Sequence, residues 1–404
     1  MKKLLLITAN SLVFLLTLSL LQIGSTSPVG AATPAKDSSS KIYEFGAMFP
    51  MTGPAAFIGE CFAAGVRQAV DEINAKGGIN GAKIKVVIED HQASPAGGVN
   101  AINKIILNKN IAYTLGSFVD PNLSAQPIAF RNKVLIMNSG GLSDSLLNKP
   151  YLYNNQVMPS YQMPALAEYL YEQGFRKVAT LVNDGAEGTD NRKFFVNTWQ
   201  KLGGTVVASE VFQLDKMDFS TQLTKIKAAR PDLVYIVATA LHAATALKQI
   251  KELGITAPPC GMTLDDPAVV RPAGANAEGL FAVGPYLDTK STLPFARAFI
   301  DNYDQKYAPK GATAYWPWAN AYENVYIYTE LVKKVEAKGG DPLDGSQLLQ
   351  ALEANRSYPS VFGSGTLTFT EDHQVIKAVG ITTIKGGQKV PLKIILGENL
   401  KRGK

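Results

Sequence analysis

The sequence has little with which to hold a metal or to tie itself together covalently. Its 404 residues include two cysteines, Cys61 and Cys260, and three histidines, His91, His242 and His373. Two cysteines so far apart are no disulfide framework, and both are expected to be unpaired, each a small hydrophobe. No Cys or His recurs at ligand spacing, so neither a metal nor a cofactor is expected. Charged residues make up only 18% of the chain, with 40 Lys and Arg interleaved among 34 Asp and Glu. No basic tract carries interleaved aromatics, which argues against a nucleic-acid partner. There is no G-x-S-x-G elbow. Asp90 and His91 are neighbours at a strand end and point to opposite faces, so they do not form an acid–base pair. An enzyme is not expected.

What the chain does have is apolar substance. Hydrophobic residues are 46% of it, enough to give two or three domain-sized units real cores. Its one long apolar run follows Lys2 and Lys3, as LLLITANSLVFLLTLSLLQI. Small residues come next, at Val29-Gly30-Ala31-Ala32, the pattern of a signal peptide over 1–32 cut after Ala31 or Ala32. The run is close to the ~20 residues that span a bilayer, but the small-residue site favours cleavage over anchoring. No cysteine lies near that site, so no lipid anchor is indicated. A soluble protein outside the cytoplasm is expected.

After the leader the chain repeats one grammar. A strand over Ile42 to Phe49 leads through a Pro/Gly-rich loop into a helix from about Cys61 to Lys76. Phe62, Val66, Val70 and Ile73 recur there at helical spacing and form one apolar stripe. A strand over Ile84 to Ile88, a helix over Pro95 to Leu107 and a strand over Ala112 to Leu115 follow. Next come a helix after Pro121 and a strand over Val134 to Met137. The grammar restarts with a helix carrying Leu166 and Leu170, then strands over Val178 to Val182, Thr205 to Phe212, Leu233 to Val237 and Gly279 to Val283. Helices are expected between them, over Thr189 to Leu202, Phe219 to Ala229 and Ala240 to Leu253, with Asp218 as an N-cap. Such alternation predicts parallel βαβ units in two α/β lobes, crossing near Val157 to Ser160. Two such lobes leave a cleft at the carboxyl ends of their strands.

Several stretches resemble one family. MFPMTGPAAFIGECFAAGVRQAVDEINAKGGINGAKIKVVIED has the opening pattern of periplasmic solute-binding proteins of the branched-chain amino acid type. MDFSTQLTKIKAARPDLVYIV and GSGTLTFTEDHQVIKAVGI resemble later segments of that family, so the likeness runs from about 41 to 395. It implies a type I periplasmic binding protein fold: two Rossmann-like lobes with parallel sheets, joined by a three-strand hinge. By that pattern one lobe is 33–157 plus 285–360 and the other 158–284 plus 361–404. It further implies a periplasmic monomer that closes over one small solute and delivers it to an inner-membrane ABC permease. An exported sensor handing a ligand to a membrane receptor is the alternative.

The resemblance also implies where a ligand sits. Two first-lobe loops would hold a carboxylate, Gly116-Ser117-Phe118-Val119-Asp120 and Ser139-Gly140-Gly141. Strand-to-helix loops of this kind expose backbone N–H groups suited to an anion. The chain departs from the family pattern at Asp120, where a serine is usual, and at Leu142, where a threonine is usual. An acidic second-lobe position for the ammonium falls around Thr263 to Asp265. Glu187 and Thr239 stand where aromatics are common. From the residues alone two ligand chemistries stay open. Asp120, Glu187 and Asp265 or Asp266 at one cleft would favour an ammonium-bearing solute, though acids equally suit a wet rim. Phe57, Phe118, Tyr315, Trp316 and Trp318 could line a pocket for an aromatic or aliphatic acid, or simply pack in a core.

Overall fold

The computed structural model describes residues 41–303, 306–307 and 315–403, and the expected signal peptide lies outside them. Among the described residues no helix is long and apolar enough to cross a membrane.

The first half of the chain builds a sheet from β1 (Ile42–Phe49), β2 (Lys83–Asp90), β3 (Tyr113–Gly116), β4 (Leu135–Asn138) and β5 (Leu152–Asn154). Helices α1 (Ala56–Ala75), α2 (Pro95–Leu107) and α3 (Val119–Arg131) connect the first four. The order is β2-β1-β3-β4-β5, and every neighbouring pair is parallel. The chain then crosses into α4 (Pro159–Glu172) and a second sheet. That half runs β6 (Lys177–Asn183), α5 (Ala186–Lys201), β7 (Thr205–Phe212), α6 (Ser220–Ala229), β8 (Leu233–Val237), α7 (Ala240–Glu252), β9 (Pro259–Met262), α8 (Pro267–Ala273) and β10 (Phe281–Pro285). Next, α9 (Pro294–Asp301), α10 (Trp316–Ala337) and α11 (Gly345–Ala354) return to the first half. A small antiparallel sheet follows, β11 (Ser357–Pro359), β12 (Thr366–Phe369) and β13 (Val375–Ile376). Finally β14 (Val379–Lys385) and β15 (Gln388–Ile395) add antiparallel strands beyond β10, in the order β15-β14-β10-β9-β8-β6-β7.

Local chemistry accounts for these elements. Ser94 caps α2 by accepting the Gly97 N–H at 3.0 Å, with Pro95 at the first helical position, where its missing N–H costs nothing. Helix α1 starts at Ala56, ahead of the expected Cys61, because the preceding turn carries the chain into helix without a side-chain cap. Asp218 stands one residue before the cap position of α6, held by Phe219, and accepts the Ser220 N–H at 2.9 Å. The segment around Cys260, although it holds Pro259 and Gly261, is strand β9, paired in parallel with β8 and β10. Cys61 and Cys260 are both buried, unpaired thiols, and burial pushes Cys61 up to about 12. Helix α10 packs along α1 so closely that a Cβ on Gly65 would lie 2.1 Å from the Trp318 carbonyl oxygen.

The first crossing, the end of β13 and α10 meet in a buried polar cluster. Lys377 Nζ lies 3.2 Å from Glu323 Oε2 and donates to Asn155 Oδ1 (2.9 Å) and Asn320 Oδ1 (2.6 Å). Glu323 also accepts from Asn155 Nδ2 (2.8 Å), Ser360 Oγ (2.6 Å) and the Val361 N–H (2.8 Å). The small sheet stands beside β5, where Asn154 bridges to Gln374, and the chain re-enters the second sheet at Val379.

Candidate functional site

In each sheet the connections diverge at one place, between β1 and β3 in the first and between β6 and β8 in the second. A crevice opens at the carboxyl ends of strands at such a switch point. A cavity of about 460 Å³ lies there, within the range of small-molecule sites. The first half contributes Thr52, Pro54 and Ala55 after β1, Gln92 and Ala93 after β2, Phe118 after β3 and Gly140 to Leu142 after β4. The second half contributes Glu187 at the start of α5, Leu214 and Met217 after β7, Ala238 to His242 after β8, and Met262 to Leu264 with Asp266 after β9. Ile58 and Phe62 of α1, Val119 of α3, Val269 of α8 and Trp316 of α10 complete the wall, the Phe62 and Trp316 rings edge-on at 6.0 Å.

The wall is held under backbone strain. Phe118 takes φ 64° and ψ 154°, a region otherwise nearly reserved for glycine and costing on the order of 1–3 kcal/mol. Gln92, Ala93 and Thr263, with φ of 51°, 52° and 53°, line the same cavity. Buried His91 braces the Phe118 loop. The Ala93 N–H donates to its Nδ1 at 3.0 Å, so the ring proton sits on Nε2 and is donated to Ser117 Oγ at 2.9 Å. Ser117 in turn donates to the Met48 carbonyl at 3.3 Å. Burial pushes His91 down to about 4, so the ring is neutral at physiological pH.

The polar groups of the cavity are mostly committed to each other. The N–H groups of Gly140 and Gly141 donate to Asn138 Oδ1 at 3.0 and 2.7 Å, which corrects the expectation that this loop presents free donors. Gly140 serves packing instead, since a Cβ there would meet Phe62 Cζ at 2.3 Å. Thr239 donates its hydroxyl to His242 Nδ1 (2.5 Å), and His242 Nε2 donates to the Leu214 carbonyl (3.0 Å). Two carboxyls behave differently. Asp266 is buried and accepts the Trp316 Nε1–H at 3.0 and 2.9 Å, and burial together with neighbouring Asp265 raises its pKa. Glu187 keeps part of its surface toward the cavity, yet among the described residues no donor reaches its carboxyl. Its depth in the protein, with the charge of Asp120 added, pushes it up to about 7.

Of the residues singled out from sequence, Phe118, Gly140, Gly141, Leu142, Glu187, Thr239, Thr263, Asp266 and Trp316 line the cavity. The others stand behind it. Ser117 braces the loop through His91, and Ser139 accepts Asn324 Nδ2 at its hydroxyl (2.9 Å) and Gln156 Nε2 at its carbonyl (2.8 Å). Asp265 is drawn away by Lys389 (2.5 Å) and Thr382 (2.7 Å), leaving Asp266 as the acid that faces in. Asp120 reaches the site only through its charge on Glu187. Phe57 packs half-buried against the core, and Trp318 is wholly buried, its Nε1 donating to Gln68 at 2.9 Å. Sequence reasoning passed over Phe62, Met262 and His242 as site residues. Phe62 belongs to the apolar stripe of α1 that reads as core, and nothing local marks the other two.

Known proteins share this architecture. A family model for periplasmic binding proteins matches residues 43–389. The Leu/Ile/Val-binding protein BraC3 of Rhizobium johnstonii is 25% identical over 332 residues, covering 81% of this chain and 88% of its own. A leucine-binding protein, LivK, from Thermotoga maritima superposes with a TM-score of 0.80 at 22% identity, over 88% of this chain and 99% of its own. An ABC-transporter solute-binding protein of R. palustris, solved with 4-hydroxybenzoate, gives 0.77 at 20% identity, over 88% and 98%. The two structural likenesses establish the shared fold, and the family is one of solute binders rather than enzymes. With the family pattern matched across both sheets and the cavity between them, the chain belongs to the periplasmic binding protein family.

Proposed function

We propose that this protein is the extracytoplasmic solute-binding component of an ABC importer. It acts as a monomer in the periplasm, closes over one small solute and presents the closed form to an inner-membrane permease. The solute carries an ammonium group on an apolar body, the kind of molecule that the names of the Leu/Ile/Val-binding relatives describe. One observation carries the ligand reading: Glu187 faces an apolar cavity with no donor of its own. A carboxyl at an apolar cavity wall with no protein donor is poorly compensated, and an ammonium ion supplies that partner. Closure follows if the solute contacts both walls, because only the closed form then gains the full set of interactions.

A second reading has support in Phe62, Phe118 and Trp316, whose rings could sandwich an aromatic acid of the kind bound by the R. palustris neighbour. Thermal melts of ligand-stripped protein against two pools separate the readings. One pool holds amino acids and amines, the other aromatic and aliphatic carboxylates. A saturating hit at 1,000 times its dissociation constant stabilises by about 4 kcal/mol, a shift of several degrees. The ammonium pool is expected to give the shift; a shift from the carboxylate pool alone overturns the ligand reading.

A further inference from the structure

We infer that the cavity takes a solute whose apolar chain runs past the length of a leucine side chain, out to a mouth formed by Leu214, Met217 and Leu241. The inference rests on the solute-binding reading above and narrows its ligand by length, whichever group the solute carries at its polar end. Leu214, Met217 and Leu241 are 41%, 38% and 45% exposed, and all three line the cavity. Large apolar side chains left open together at a cleft mark a surface that something covers. At the buried end of the same cavity stand Phe62, Met262 and Leu264. Apolar lining is thus present both in the interior and at the rim. The volume between, about 460 Å³, has room for a ligand of drug size.

The mouth is held in place. Leu214 and Met217 belong to a polar loop, 213–218, whose Asp215 and Lys216 are exposed and pair with each other at 3.0 Å. That loop is strapped to α7 at both apolar positions. The Leu214 carbonyl accepts from His242 Nε2 (3.0 Å) and the Met217 carbonyl from Gln249 Nε2 (3.1 Å). Gln249 also accepts the Phe219 N–H at 2.8 Å, and the Phe212 and Phe219 rings flank His242 at 5.6 and 6.2 Å. Leu241 precedes His242 on the same helix. With their carbonyls fixed, Leu214 and Met217 are kept over the cavity instead of folding into the core, and a methionine there adapts to chains of varied shape. Across the cavity the first half offers Pro54, Ala55 and Ala93, short side chains that give the three little to pack on. A longer chain on the solute supplies that contact, and each methylene it buries contributes about fourfold in affinity.

The test varies chain length at a fixed headgroup. Calorimetric titration of the ligand-stripped protein uses norvaline, norleucine and 2-aminooctanoate, and in parallel pentanoate, hexanoate and octanoate. In the series that binds, the longest member is expected to exceed the shortest by roughly thirtyfold or more. In the triple variant Leu214→Ser, Met217→Ser, Leu241→Ser that ratio is expected to fall at least about tenfold. The melting temperature holds, because the three side chains are already exposed. Met217→Ser alone is the second probe and lowers the ratio by about threefold. An affinity that is flat or falls beyond norleucine, or beyond hexanoate, overturns this inference and leaves the ammonium reading standing if the amino acids bind. Variants that weaken short and long members alike also overturn it, since the three residues would then act as a contact between the halves. A rise with length in the acid series alone upholds this inference and overturns the ammonium reading. Binding by neither series overturns this inference, and the melts above decide the reading separately.

Discussion

Two glutamates of the same chain, Glu323 in the interior and Glu187 at the cavity, are treated in opposite ways. Glu323, where the first crossing and β13 meet α10, has a lysine at 3.2 Å and accepts from Asn155, Ser360 and Val361. Glu187, at the mouth of α5, has no donor among the described residues, and its carboxyl is pushed up to about 7. The first is a finished interaction: burial draws Lys377 below its ordinary pKa, and the Glu323 charge opposes that shift. The second is an unfinished one. The fold satisfies its structural acid with four partners and leaves its cavity acid bare, and under the proposed function the bare one is the acid that meets a ligand.

The largest effect that would break this contrast lies at the junction. Lys377→Met strands Glu323 in the interior, and the expected loss is about 3–5 kcal/mol in denaturant melts. The pair Lys377→Met with Glu323→Leu is expected to recover much of it; a single variant as stable as the parent would mean the cluster does not hold the junction. His91 comes next. Its ring is near 4 in the folded protein against an ordinary 6.5, so the unfolded chain takes up the proton first as pH falls. Its stabilising contribution is full above about 6.5 and is lost through to about 4, to the extent of about 3 kcal/mol. Melts of the parent against His91→Asn from pH 7 to pH 4 should show that excess loss in the parent alone. Smallest is Gly140→Ala, whose Cβ must displace the Phe62 ring; about 1–3 kcal/mol of stability and a measurable loss of ligand affinity are expected.

Much of the architecture was readable from periodicity. Strands β1, β7 and β8 and helix α2 stand at the expected residues, because their apolar spacing or their Ser94-Pro95 start is unambiguous. Strand β9 was hidden: Pro-Cys-Gly-Met is short and carries two residues that usually mark turns, and only pairing with β8 and β10 makes it a strand. The cavity was legible in its position and in Glu187, Phe118 and Trp316, which sit at the ends of recognisable strands and helices. What sequence could not supply was the direction of each hydrogen bond. That Asn138 takes the Gly140 and Gly141 amides is a local turn that residue types alone do not orient, and that Lys389 takes Asp265 while Asp266 faces inward depends on a contact far apart along the chain.

The central claim, that Glu187 is kept bare for a ligand's cation, is tested most directly by titrating that carboxyl. Carbon-13 labelling of glutamate, with Glu187→Gln to assign the signal, gives its midpoint in the ligand-stripped and amine-saturated protein by NMR. The account predicts a midpoint near 7 without ligand, falling by about 2 units or more on saturation, since a bound ammonium favours the ionised carboxylate. A midpoint near 4.5 in the ligand-stripped protein, unmoved by any amine, would contradict it.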